Sequence, residues 1–200
     1  MPERRTVYAL NGPLIALGGI GLVEGIAAIV RHQNRTTLYT QAEERAFKTG
    51  RPLVVIGSPS AGMHTAIVKA YGCGDMCIDL DGCAECPNHL QADITKPIPI
   101  VSDSAVVYVG CVLEYVDDFN AAWDELERIA GSPDNMFIAT VQPWTLTAAM
   151  YSPARQAVWE VPGEAGHRPS YEASEVSGIR KVASWGIVLG LLGWGVGKLL

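Results

Sequence analysis

Four runs decide the fold: RPLVVIGSPSAG (residues 51–62), DMCIDLD (75–81), QADITKPIP (91–99) and AVVYVGCVLEYVDD (105–118). The first, second and fourth hold short apolar, β-branched stretches bounded by Gly, Pro or Asp. That is the pattern of strands buried on both faces of a parallel sheet. Strands are therefore expected at Leu53–Ile56, 76–80 and 105–109. The residues leaving them would gather at one sheet edge, where open α/β sheets bind ligands.

The neighbouring sequence extends this reading. Residues 36–50 read as a helix stopped by Gly50 and leading into the first strand. After the turn GSPSAG (57–62) comes a helix over 63–70, then a turn at 71–74. A short helix or loop carries residues 83–90. FNAAWDELERIA (Phe119–Ala130) has helical apolar spacing, Gly131 as its stop and Asp117 and Asp118 as capping candidates. A further strand follows at 136–141. Residues 144–157 are mixed, and 158–177 are rich in Pro, Gly and Glu, as loops and linkers are.

Both chain ends are apolar. Residues 7–30 (VYALNGPLIALGGIGLVEGIAAIV) carry one charge, Glu24, and are long enough for a bilayer, which takes about 20 apolar residues. A signal peptide would be shorter and followed by a small-residue cleavage site, whereas RHQNR follows here. Residues 182–200 (VASWGIVLGLLGWGVGKLL) form a second, shorter candidate, with Trp185 and Trp194 suited to interfaces and Lys198 able to snorkel. Small-xxx-small pairs (Gly21 and Gly25, Gly186 and Gly190, Gly193 and Gly197) suit close helix packing in lipid. Glu24 would face a partner or the interface. Arg31, Arg35, Arg180 and Lys181 flank the central domain, which the positive-inside rule places on the cytoplasmic side; Arg4 and Arg5 oppose this.

The expected architecture is a doubly wound, mostly parallel α/β sheet of Rossmann type, flanked by N- and C-terminal transmembrane helices. Its parts are a membrane helix in 1–35, the α/β domain in 36–157, a linker in 158–181 and a membrane helix in 182–200. A net charge of −6, with no Lys/Arg run, argues against a nucleic-acid partner.

The stretch 91–130 resembles the class I S-adenosylmethionine-dependent methyltransferases. Its acidic turn, its strand, VLEYVDD (112–118) and ELER (125–128) match that family's run of acidic turn, strand, "LEHV-D" segment and "EL-R" helix. The resemblance covers roughly residues 51–152. It implies that Gly57, Ser58 and Gly62 lie under the methionine end of the cofactor. Asp79 would hold the ribose hydroxyls, a task for a carboxylate because it accepts two hydrogen bonds. Asp93 and Ile94 would flank the adenine, and Gly110 and Cys111 would face the transferred methyl group. The first loop departs from the family pattern. Val55 replaces its acid, and Pro59 stands where a glycine admits the ligand, removing an N–H and fixing φ.

Four of the five cysteines, Cys73, Cys77, Cys83 and Cys86, lie within fourteen positions, with His89 nearby. Cys83 and Cys86 make a zinc half-site, but there is no second Cys-x-x-Cys pair. Cys77 alternates with Met76 and Ile78 as a buried strand residue would. The sequence thus assigns the cluster to packing ahead of zinc or disulfide chemistry, and a reducing compartment is expected. His64 is a candidate base with nothing to orient it. Tyr115 and Trp144 are pocket-wall or core candidates.

Two functions follow. The first is a membrane-anchored structural or assembly component whose methyltransferase-like domain has lost its cofactor. Its partners would be the lipid bilayer and other subunits, or copies of itself, through glycine-patterned helices. The second is an active methyltransferase acting on a small or lipid-like substrate at the membrane.

Overall fold

The computed structural model describes residues 4–60 and 69–140; side chains of the first helix are described from Gly18 onward, except residues 20 and 23. Predicted features at Gly62, His64, Trp144 and 182–200 lie outside those residues. The chain divides into two units, and the α/β body belongs to the unit containing residues 31–141.

Helix α1 spans Arg4–Thr49. The expected membrane helix and lead-in helix are thus one continuous element, because RHQNR between them contains no breaker. Among the described residues no helix is long and apolar enough to cross a membrane. Strands β1 (Leu53–Ile56), β2 (Met76–Asp79), β3 (His89–Gln91), β4 (Val106–Gly110) and β5 (Met136–Ala139) form one sheet in the order β3-β2-β1-β4-β5. Every pairing is parallel, with Val54 opposite Met76 and Val107. Helix α2 occupies Phe119–Ala130, as its spacing predicts. Asp118 caps it, accepting from the Ala121 N–H, and Gly131 ends it with a left-handed φ of 68°.

Strand alternation divides the core between the two faces. Val54, Ile56, Val107 and Val109 join Trp123, Leu126 and Ile129 of α2 on one face. Leu53, Val55, Val106 and Tyr108 join Tyr39, Ala42 and Ala46 of α1 on the other. The result is a three-layer α/β body with a central parallel sheet, compatible with a Rossmann-type architecture. Spacings of three and four along α1 place these small residues and Tyr39 on one helix face. Glu125 and Arg128 on α2 secure the approach to β4: Glu125 accepts from the Ile98 N–H at 2.7 Å, and Arg128 donates to the carbonyls of Ile98 and Ile100.

Two expectations for the region after β2 are corrected. Residues 83–90 are neither a helix nor wholly a loop, since His89–Gln91 is a strand. The cysteines are also not simply packed: Cys73 is bonded to Cys86 and Cys77 to Cys83. Topology supplies the reason for both. Parallel neighbours need a crossover, usually a dozen or more residues containing a helix, but only residues 80–88 separate β2 from β3. This short connection lies back across β2 and carries Cys83 and Cys86 to Cys77. Covalent links therefore stand where a crossover helix would normally pack.

Candidate functional site

At the carboxyl edge of the sheet, Gly57 leaves β1 with φ 99°, a conformation disfavoured for side chains. A Cβ there would lie 2.7 Å from Val112 Cγ2, so glycine is also required sterically. Ser58 and Pro59 follow, both buried. Asp79 stands at the end of β2, as expected for an acid at this edge. Its Oδ2 accepts the Ser58 N–H at 2.7 Å, and its Oδ1 accepts the Asp81 N–H at 2.9 Å. Glu85, from the cystine-bearing loop, accepts from the Ser60 N–H at 2.9 Å and the Ser58 hydroxyl at 3.2 Å. The Ser60 side chain leads in holding its carboxyl below the ordinary glutamate value, with the Ser58 hydroxyl and the Ser60 N–H adding to it. The turn after β1 is thus bound on two sides by acids of the same chain.

The other candidates are dispersed. Asp93 accepts from both the N–H and hydroxyl of Thr95 and ion-pairs with Lys96 at 3.2 Å. The Thr95 bonds lead in lowering its pKa. Ile94 is buried in the core cluster that includes α2. Gly110 ends β4 under the Tyr71 ring, where a Cβ would fall 2.7 Å from Tyr71 Cζ. Tyr115 is exposed, as are Asp81 and Asp117.

No protein-family model, curated protein or solved structure matches this chain.

Cys111, next after Gly110, adopts a left-handed φ of 58° and is buried. Burial pushes its thiol up to about 11, assisted by the negative charge of Glu114, so it is no thiolate nucleophile at neutral pH. Its Sγ accepts from Arg35 Nε at 3.2 Å. Three tyrosines complete this region. Tyr71 donates to the Ser58 carbonyl at 3.1 Å, and its ring contacts those of Tyr39 and Tyr108. Burial raises all three phenols, Tyr39 to about 12 and the others further, so they serve as neutral donors. The Cys111 thiol and the three phenols are therefore all protonated near neutrality, and none can serve there as a general base.

Sequence reasoning missed Tyr71, Arg35, Tyr39 and Glu85. Tyr39 was accessible from its spacing with Ala42 and Ala46. Tyr71 was not, because it sits in a turn whose direction only the tertiary structure sets.

The remaining cluster is sulfur. The Sγ atoms of Cys77, Cys83 and Cys86 lie within 4.8 Å of one another, all buried, and Cys73 is bonded to Cys86. These four residues could hold a soft metal ion once reduced.

Proposed function

We propose that this protein is a membrane-anchored structural or assembly component whose α/β domain descends from a methyltransferase-like fold and has given up its cofactor. One observation carries the reading. The groups that S-adenosylmethionine would require are bonded to one another: both Asp79 oxygens are taken by backbone N–H groups, and the Ser58 carbonyl by Tyr71. Those two bonds take up about half of the acceptor sites of the carboxylate, leaving fewer for ribose hydroxyls. Tyr71 also stands over Gly110, the position assigned to the transferred methyl group.

The anchor reading rests on the apolar sequence of residues 7–30, whose side chains before Gly18 lie outside those described, and on exposed side chains of α1. Leu22, Ile26 and Ile29 are 66%, 50% and 60% exposed and recur at helical spacing, an apolar stripe suited to lipid or to another subunit's helix. Gly21 and Gly25 lie on the same stretch, with open space around each. The basic residues flanking the domain favour its cytoplasmic placement.

Titration calorimetry with S-adenosylmethionine on the full chain in detergent tests the cofactor arm. No heat, together with co-purification in a large assembly, is the expected result. Micromolar binding that disappears in Asp79→Ala would instead establish the methyltransferase reading.

A further inference from the structure

We propose that Cys73, Cys77, Cys83 and Cys86 form a redox-switched zinc centre: a tetrathiolate zinc site when reduced and the two observed disulfides when oxidised. The proposal goes beyond the structural role above and is independent of whether the sheet binds a cofactor.

Convergence is the first argument. A Zn–S bond of about 2.3 Å sets sulfur–sulfur edges of about 3.8 Å in a tetrahedron. Three sulfurs already lie within 4.8 Å of one another, and the fourth, Cys73 Sγ, is bonded to one of them. Loading zinc requires the bonded pairs to separate and the unbonded sulfurs among Cys77, Cys83 and Cys86 to close by no more than about 1 Å. The exposed loop residues Asp81, Ala84, Pro87 and Asn88 leave the connection room for that adjustment.

Local geometry is the second argument. The Cys86 N–H donates to the Cys83 carbonyl at 2.9 Å, closing the Cys-x-x-Cys turn. Cys77 is fixed in β2, between β3 and β1, and Cys73 leads into that strand. Two ligands thus come from a turn and two from the β2 segment, all anchored to one sheet. His89 lies outside the group whose ligand atoms converge, so it is not counted among the four. An iron–sulfur cube fits worse than zinc: each ligand sulfur would bind a different iron, whereas these converge on one point.

The compartment supplies the third argument. Disulfides do not persist in a reducing cytoplasm, yet the flanking basic residues favour that side for the domain. A centre that is zinc-loaded at rest and cystine-bearing under oxidation accounts for the observed disulfides together with that placement, which rests on the reading proposed above.

The chemistry balances. A dithiol reductant delivers two electrons and two protons to each S–S bond and leaves as its own disulfide. Zinc then forms four Zn–S bonds and sends the four thiol protons to solvent. In reverse, a peroxide takes two electrons from each thiolate pair, consumes two protons and leaves as two waters. The S–S bonds re-form and zinc departs as the aqueous ion. Glu85 lies between Cys83 and Cys86 and holds Ser58 and Ser60, so the change reaches the turn after β1.

The test uses the full chain in detergent, reduced with a phosphine that is then removed. The reduced chain should bind one zinc per chain and shield four cysteines from alkylation. Cobalt in place of zinc should give an intense thiolate charge-transfer band and tetrahedral d–d bands. Peroxide should release the metal and leave a mass lower by four hydrogens. Cys83→Ser and Cys86→Ser should each weaken zinc binding by at least the tenfold to hundredfold that loss of an outer-shell partner costs. Should either variant fail to fold, the cobalt spectrum of the unaltered chain decides. A reduced, folded chain that takes up no zinc, gives an octahedral cobalt spectrum, or resists reduction until denatured would overturn the proposal.

Discussion

Replacing Asp79 with alanine separates a fold-holding acid from a ligand-holding one. Two N–H groups lose their acceptor. That of Asp81 is exposed and returns to water at little cost. That of Ser58 belongs to a residue only 7% exposed and is left without its carboxylate. Hydrogen bonds to charged groups contribute about 1.5–3 kcal/mol, and partial exposure of Asp79 favours the lower half of that range. A loss of about 2 kcal/mol is expected, which for a domain of this size lowers Tm by about 4–8 °C. Asp79→Asn keeps one carboxamide oxygen as acceptor and should recover roughly half of the loss. Thermal unfolding of the full chain, followed by circular dichroism without added ligand, is the assay. An Asp79→Ala melting point within about 1 °C of the parent, with ligand-induced stabilisation in the parent alone, would refute the reasoning, because binding to the native state raises Tm by mass action.

Three further outcomes are expected. Glu125→Ala should cost about 2–3 kcal/mol in chemical denaturation, because the Ile98 N–H and Arg128 both lose their acceptor. The Glu125 pKa is depressed in the fold, chiefly by Arg128, so its contribution is full above about 4.5 and lost as pH falls through the depressed value; in the alanine variant that part of the acid sensitivity should vanish from urea midpoints measured across the range. Gly110→Ala should cost about 1–3 kcal/mol through overpacking against Tyr71, and Gly110→Ala combined with Tyr71→Ala should not show the two single losses added, as a double-mutant cycle would reveal. Asp118→Ala should cost about 1 kcal/mol by uncapping α2, with Asp118→Ser restoring most of it in the same melts.

Much of the fold was legible because its signals are local. Phe119–Ala130 announces itself by apolar spacing between Asp118 and Gly131. The strands at Leu53, Met76, Val106 and Met136 announce themselves by β-branched runs between breakers. His89–Gln91 is three residues of mixed polarity, a strand only because β2 lies beside it. The fusion of α1 into one helix was unreadable for another reason: a polar interruption such as RHQNR marks a change of environment, not a helix end. At the site, sequence placed Asp79 at the right edge of the sheet but could not say what its oxygens bind. Asp93 looked the same on paper, and it closes a turn with Thr95. The four cysteines were visible as a group, yet their convergence depends on the brevity of the β2–β3 connection, which becomes informative only once those strands are known to be parallel neighbours.

The strand order also imposes a schedule on synthesis. Leu53 pairs with Val106 and Val54 with Met76, so the central strand is flanked on both sides only after more than fifty further residues have been made. At 5–20 residues per second that interval is roughly 3–10 s. Throughout it LVVI, a wholly apolar tetrapeptide, lacks at least one neighbour, since β2 and β4 arrive one at a time. Covering that interval falls to whatever meets the nascent chain first, be it a chaperone or its own preceding helix.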